Sequence, residues 1–223
     1  MDPVKVVFDG APGTGKSKTL ETVRQFFAMN NNLRQMFGLP TLTVGFVNEA
    51  AWDLFEQHPD IDRGALATQR TILGMMQQRE TEVRHCDVVF IDRGAYSIKV
   101  YERTFGMEDM SPLYDEIEVL SRSYDLVYIF HPDNVILKNN AVRIEDAELR
   151  EELHRAFCRN LEEFGTEFQL LLAENTERAG RVIGDVLNAL TEKRLRALPP
   201  EAERRASYRK AREDGFLLTG SKW

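Results

Sequence analysis

The residues whose types and spacing most clearly imply chemistry lie near the N-terminus. They read Gly10-Ala11-Pro12-Gly13-Thr14-Gly15-Lys16-Ser17, which is Gly-x-x-x-x-Gly-Lys-Ser, the phosphate-binding loop (P-loop) pattern. In this pattern the glycines let backbone N–H groups face a phosphate, the lysine reaches the β- and γ-phosphates, and the serine hydroxyl can coordinate Mg²⁺. The predicted nucleotide-binding residues are Gly10, Pro12, Gly13, Thr14, Gly15, Lys16, Ser17 and Lys18.

An acidic and a basic residue follow the hydrophobic run Val88-Val89-Phe90-Ile91. A nucleotide site needs a carboxylate to hold the metal, directly or through water, and Asp92 occupies a suitable position at the end of a buried strand. Arg93 could hold a phosphate or a substrate oxygen. The alternatives are a helix-capping aspartate and a surface arginine.

Glu49 directly follows a second strand-like run. A phosphoryl-transfer enzyme needs a carboxylate on the acceptor side to position or deprotonate a hydroxyl, and Glu49 is the candidate for that role. The alternative is a carboxylate in the first turn of a helix, where the helix dipole favours it. Asp9, at the end of the first strand, could serve the acceptor or shape the P-loop.

A basic lid is predicted between residues 131 and 145. Arg143 is its main candidate and Lys138 the second, because a cation over the triphosphate would stabilise charge on the transferred group and help exclude water. The alternative is a solvated charge in a linker. Gln69, Trp52 and Phe55 could line an acceptor pocket, although aromatic residues at helical spacing more often pack in a core.

Apolar runs alternate with helical patterns along the chain. Such alternation predicts an α/β fold with a five-stranded parallel sheet, helices on both faces, and a ligand at the carboxyl ends of the strands. A helix beginning at Lys16 is expected to be interrupted at Asn30-Asn31-Asn32. The predicted strands are Val4–Asp9, Thr41–Val47, Asp87–Asp92, Asp125–Phe130 and Phe168–Leu172.

The composition divides the chain into a predicted domain over residues 1–198 and a charged C-terminal helix with an apolar tail over 199–223. The tail residues Phe216-Leu217-Leu218 would dock on the core or on a second chain, so a homodimer is one interpretation. The formal net charge of −7 argues against a dedicated nucleic-acid binder. No apolar run approaches membrane-spanning length and no signal peptide is evident, so a cytoplasmic location is expected.

The chain resembles P-loop kinase-type NTPases with an Asp-Arg box, in particular the AAA-domain group that contains the nicotinamide-riboside kinase domain. It is more distantly similar to deoxynucleoside and polynucleotide kinases. The resemblance rests on Gly10–Ser17, Val47–Ala51, Phe90–Gly94 and Tyr124-Asp125 with Ala141–Asp146, in that order. It implies a three-layer fold with strand order 2-3-1-4-5, with Glu49 facing the acceptor, Asp92 and Arg93 facing the phosphates, and Arg143 in the lid.

These observations favour an ATP- and Mg²⁺-dependent kinase that phosphorylates a hydroxyl of a nucleoside-like small molecule or a nucleic acid. ATP is expected because the guanine-reading Asn-Lys-x-Asp sequence is absent. Its catalytic residues would be Lys16, Glu49, Asp92, Arg93 and Arg143, with Ser17 and Asp92 as metal ligands. The alternatives are a hydrolytic NTPase coupled to a partner protein and a nucleotide-binding module without efficient turnover.

Overall fold

The computed structural model describes residues 2–37, 41–132, 147–172 and 175–197. The strands are β1 (Val4–Gly10), β2 (Val44–Val47), β3 (Val88–Asp92), β4 (Leu126–Phe130) and β5 (Gln169–Leu171). The helices are α1 (Lys16–Met36), α2 (Ala50–Gln57), α3 (Leu66–Glu82), α4 (Ser97–Phe105), α5 (Tyr114–Ser121), α6 (Ala147–Glu163) and α7 (Asn175–Arg196). The lid candidates Arg143 and Lys138 and the predicted tail 199–223 lie outside the described residues.

The five strands form one parallel sheet in the order β2-β3-β1-β4-β5, which confirms the expected topology. β1 lies at the centre, with Val6 opposite Phe90 on β3 and Phe8 opposite Tyr128 on β4. Because the strands are parallel, their carboxyl ends share one edge of the sheet. The P-loop, which follows β1, and Asp92, which ends β3, are therefore neighbours at that edge.

Hydrophobic side chains pack against both faces of the sheet. On one face, Phe8 contacts the rings of Phe90, Tyr128 and Phe130 at centroid distances of 5.3–5.9 Å, beneath α1 and α7. On the other face, β1 contributes Val7 to a second core formed with α2 to α6. Coverage of both faces explains why β1, β3 and β4 read as continuous apolar runs rather than alternating ones.

Two predicted boundaries are wrong. The helix α1 continues through the asparagines to Met36 instead of stopping at Asn30. The side chain of Asn31 donates to the carbonyl oxygen of Leu42 at 2.6 Å and accepts from the Leu42 N–H at 2.9 Å, and this tertiary pairing overrides the weak helix propensity of asparagine. Strand β2 begins at Val44 rather than Thr41, because the N–H and hydroxyl of Thr43 bond to the carboxylate of Asp87.

The segment that opens at Ser111 contains two consecutive helical elements. Residues Ser111–Leu113 form a 3₁₀ turn with Pro112 near its start, and α5 begins only at Tyr114. Proline fits such a helix start, where its missing N–H has no intrahelical partner. Among the described helices, none is both long enough and apolar enough to cross a membrane.

Candidate functional site

The P-loop connects the end of β1 to the start of α1. Its glycines Gly10, Gly13 and Gly15 have φ values of 120°, 75° and 89°, in the region that side-chain-bearing residues rarely adopt. A Cβ on Gly10 would also lie 2.7 Å from the carbonyl oxygen of Phe130. The hydroxyl of Thr14 donates to the carbonyl of Ala11 at 3.0 Å and closes the turn. The glycine spacing is therefore required by the backbone path.

Lys16 folds back over this loop. Its side chain is 7% exposed, and Nζ donates to the carbonyl oxygens of Gly10 at 3.0 Å and Ala11 at 2.9 Å. Burial, followed by the nearby positive charge of Arg93, lowers the pKa of Lys16 to about 8, although carboxylates including Asp92 act in the opposite direction. Within the described part of the chain, this buried ammonium bonds only to neutral carbonyls, and it is therefore suited to an incoming anion.

Asp92 supplies the carboxylate predicted at the end of β3. Its Oδ1 is buried and has no hydrogen-bond partner among the described residues. Burial raises the pKa of Asp92, the charge of Lys16 lowers it, and the charge of Glu49 raises it further. A hard cation can satisfy a buried carboxylate oxygen that has no hydrogen-bond partner. Ser17 is exposed at the start of α1, the helix that follows β1, and β1 is the neighbour of β3 in the sheet. A carboxylate and a hydroxyl are oxygen donors of the kind that Mg²⁺ prefers.

Arg93 is at the centre of the charged cluster. Its Nε lies 2.7 Å from Glu49 Oε1, as an ion pair rather than a linear hydrogen bond, and its Nη1 lies 3.5 Å from Asp9 Oδ1. Nη1 also donates to the Tyr101 hydroxyl, and the guanidinium lies 5.2 Å from the centre of that ring. Burial alone would lower the pKa of Arg93, but Tyr101, Glu49 and Asp9 together hold it above its ordinary value.

The backbone of Arg93 is strained. Its φ of 83° is the one positive value at a non-glycine position in the described part of the chain. Such a conformation costs on the order of 1–3 kcal/mol and persists where surrounding contacts impose it, often at functional sites. Here the contacts to Glu49, Asp9 and Tyr101 supply that constraint. They hold the guanidinium beside Glu49, Asp9 and Tyr101.

Asp9 connects the P-loop to the turn after β3. Its carboxylate is fully buried and accepts the N–H of Gly10 at 2.9 Å and that of Gly94 at 3.0 Å. Burial raises the pKa of Asp9 to about 6, against the charges of Arg93 and Lys16. Of the two roles predicted for Asp9, this geometry supports shaping the loop.

Glu49 precedes the first residue of α2 without capping it through its side chain. Its carboxylate instead faces Arg93, which argues against the alternative of a carboxylate held only by the helix dipole. The structure therefore brings Lys16, Glu49, Asp92 and Arg93 into one cluster at the sheet edge.

The sequence matches the AAA domain family over residues 5–178. The chain belongs to this family. A P-loop AAA domain implies nucleotide binding. No curated protein matches the chain at a significant level.

Solved structures resemble this AAA domain in fold, and 134 chains match in all. A thymidylate kinase from Ehrlichia chaffeensis has a TM-score of 0.52 and 14% identity, over 83% of this chain and 99% of that one. A NadR protein in complex with NR has a TM-score of 0.62 and 18% identity, over 81% of this chain and 50% of that one. A NadR protein in complex with NAD and AMP-PNP has a TM-score of 0.57 and 19% identity, over 81% of this chain and 48% of that one. The AAA domain thus spans about half of each NadR chain, and identities this low establish the fold alone.

The three residues considered for an acceptor pocket, Trp52, Gln69 and Phe55, lie in different environments in the AAA domain. Trp52 is 51% exposed on α2, so it is not a core residue. The side-chain amide of Gln69 is buried and donates to the carbonyl of Arg63 at 2.6 Å, and the Arg63 guanidinium lies over the Phe55 ring at 4.7 Å. Gln69 and Phe55 thus both contact Arg63, Gln69 at its carbonyl oxygen and Phe55 at its guanidinium.

Sequence reasoning missed two residues that contact the site. Tyr101 bonds to Arg93 but reads in the sequence as an ordinary aromatic residue on a helix. Arg178, in the first turn of α7, donates to the P-loop carbonyl of Thr14 at 2.8 Å. Only the high charge of its helix could have drawn attention to Arg178, and that signal does not distinguish it from its neighbours.

Proposed function

We propose that this AAA domain is an ATP- and Mg²⁺-dependent kinase that transfers the γ-phosphate to a hydroxyl of a nucleoside-like small molecule. The observation that carries the proposal is the Glu49–Arg93 ion pair of 2.7 Å beside the P-loop. Glu49 follows β2 and is separate from Asp92 at the end of β3, so we assign Glu49 to the acceptor side and Asp92 to the metal side. A nucleoside-like acceptor is favoured over a nucleic acid by the net charge of −7.

In the proposed reaction the acceptor hydroxyl oxygen attacks the γ-phosphorus. A new P–O bond forms, the bond to the β–γ bridging oxygen breaks, and ADP leaves. Glu49 orients the hydroxyl and accepts its proton, while Lys16 and Arg93 stabilise negative charge on the phosphoryl oxygens. Mg²⁺ held by Ser17 and Asp92 would neutralise charge on the β- and γ-phosphates.

The lid remains part of the proposal. Arg143 is assigned the role of a cation that closes over the transferred group, with Lys138 as a second candidate, on the strength of the sequence alone. Support for a kinase of this class also comes from the fold shared with a thymidylate kinase and with NadR bound to NR or to AMP-PNP.

The decisive experiment is ATP consumption with and without acceptors. The panel comprises nucleosides, nicotinamide riboside, and single- and double-stranded oligonucleotides. The native protein should consume ATP slowly alone and rapidly with a nucleoside-like acceptor, and Glu49→Gln and Lys16→Ala should each lower the stimulated rate by about 10²–10⁴-fold. Glu56→Gln, which neutralises an exposed carboxylate on α2, the helix that follows Glu49, is the matched control and should leave the rate unchanged.

Other outcomes point elsewhere. Stimulation by oligonucleotides alone would replace the small acceptor with a nucleic acid. ATP hydrolysis that needs no acceptor and survives Glu49→Gln would refute the kinase proposal in favour of a hydrolytic NTPase. Glutamine retains an oxygen that can accept from Arg93, so this substitution tests proton transfer more than the position of Arg93.

A further inference from the structure

Arg178 connects three parts of the fold. It lies in the first turn of α7 and is 2% exposed. Its Nε donates to the carbonyl oxygen of Leu172, just after β5, at 2.7 Å, and its Nη1 donates to the carbonyl oxygen of Thr14 at 2.8 Å. The guanidinium carbon lies 5.4 Å from the ring centre of Phe130, the last residue of β4. The side chain is therefore fixed against the outer side of the P-loop.

The bond to Thr14 determines the direction of an N–H group in the loop. The carbonyl of Thr14 and the N–H of Gly15 belong to one peptide unit, which is planar and trans, so the two groups point in opposite directions. With the carbonyl directed at Arg178, the Gly15 N–H points away from α7. In P-loops, backbone N–H groups at this position of the pattern are the ones that face the β-phosphate.

This peptide unit would otherwise be free to rotate. Gly15 has a φ of 89°, and glycine occupies positive and negative φ with similar ease, so reversing the Thr14–Gly15 peptide meets little steric resistance on the glycine side. A reversed peptide would present a carbonyl oxygen to the phosphate in place of an N–H. The Arg178 bond opposes that reversal.

The charge of Arg178 gives a second, independent indication. Its Nη2 is buried without a hydrogen-bond partner in the described ranges. Burial lowers the pKa of Arg178, and no described carboxylate acts against that effect. The triphosphate predicted at the P-loop would supply negative charge close to this uncompensated guanidinium.

We propose that Arg178 is a positioning residue of the nucleotide site, which holds the Thr14–Gly15 peptide so that the Gly15 N–H is presented to the β-phosphate. The inference rests on the nucleotide-binding part of the proposed function and is independent of any acceptor. It predicts that Arg178 contributes to the binding of nucleotides that carry a β-phosphate and not to the binding of AMP.

The test compares ADP with AMP by calorimetric or displacement titration of the native protein, Arg178→Met and Arg178→Lys. Arg178→Met should weaken the binding of ADP and ATP by about ten- to a hundredfold, which is the effect of losing a hydrogen bond to a charged group. The affinity for AMP should stay within about twofold of the native value. The lysine variant keeps the charge but cannot bridge both carbonyls, so its loss should be smaller and confined to ADP and ATP. Arg181→Met removes an exposed charge one turn away and is the matched control.

Each result has a clear meaning. An equal loss of affinity for ADP and for AMP would overturn the inference, because it would indicate general damage to the site. Unchanged ADP affinity in Arg178→Met would also overturn it. If Arg178→Met does not fold, as judged by circular dichroism, the ratio of ADP to AMP affinity in Arg178→Lys decides the question. A native protein that bound neither ATP nor ADP would instead refute the nucleotide site itself.

Discussion

The affinity of this protein for ATP should fall as the pH rises above about 8. The cause is Lys16, whose burial lowers its pKa to about 8 in the nucleotide-free protein. A bound triphosphate would stabilise the ammonium form, so binding above this pH requires uptake of a proton. Deprotonated Lys16 would leave a neutral amine facing the phosphates.

The magnitude follows from the pKa. If only the ammonium form binds, the apparent dissociation constant is multiplied by 1 + 10^(pH − pKa), so affinity at pH 9 should be about tenfold weaker than at pH 7. The titration of Asp9, whose pKa is about 6, is largely complete below this interval. The stability of the nucleotide-free protein should change with pH in the opposite direction. Because the pKa of Lys16 in the folded protein lies below the ordinary value of 10.5, the contribution of Lys16 to the free energy of unfolding rises as the pH increases from about 8 to about 10.5.

The assay is calorimetric titration with Mg²⁺-ATP at pH 7, 8 and 9 and constant ionic strength. Lys16→Arg provides the control, because arginine keeps its charge throughout this range and its affinity, whatever its absolute value, should vary little with pH. A native affinity that stays constant from pH 7 to 9 would refute the reasoning. So would a decline of equal size in Lys16→Arg.

Three further substitutions test the site and the core. Asp92→Asn should abolish the increase in ATP affinity caused by Mg²⁺, which Mg²⁺ titrations measure. It should also raise the melting temperature of the nucleotide-free protein, because burial disfavours the Asp92 carboxylate and raises its pKa. Gly94→Ala should destabilise the fold by about 1–3 kcal/mol, since the new Cβ would lie 2.6 Å from the buried ring of Tyr96. Phe8→Ala should cost about 3–5 kcal/mol in denaturant unfolding, and a loss below 1 kcal/mol would contradict its packing against three rings.

Features set by neighbouring residues were predictable from the sequence. The P-loop is one, because its glycines and Lys16 act within eight consecutive positions. The parallel sheet is another, since strands covered on both faces need continuous apolar runs such as Val88–Ile91. The positions of Glu49 and Asp92 follow from these two features, because residues just beyond parallel strands meet at one sheet edge.

The tertiary structure decided which partners each polar side chain contacts there. The sequence leaves two roles for Asp9, and its bonds to the N–H groups of Gly10 and Gly94 support the role of shaping the loop. Tyr101 gained a role only through the fold of α4 over Arg93. Asn31 stays within a helix because Leu42, eleven residues away, bonds to its side chain.

Arg178 is the clearest example of a site contact that could not be predicted from the sequence. It is separated by 164 residues from Thr14, the P-loop residue whose carbonyl it binds. Motif spacing and hydrophobic periodicity describe interactions between residues close in the chain. Chain separation of this size leaves no local pattern, and only the packing of α7 beside β1 and α1 brings the two residues together. The sequence by itself thus determined the phosphate-binding loop, and the packed fold determined which distant side chain holds that loop in shape.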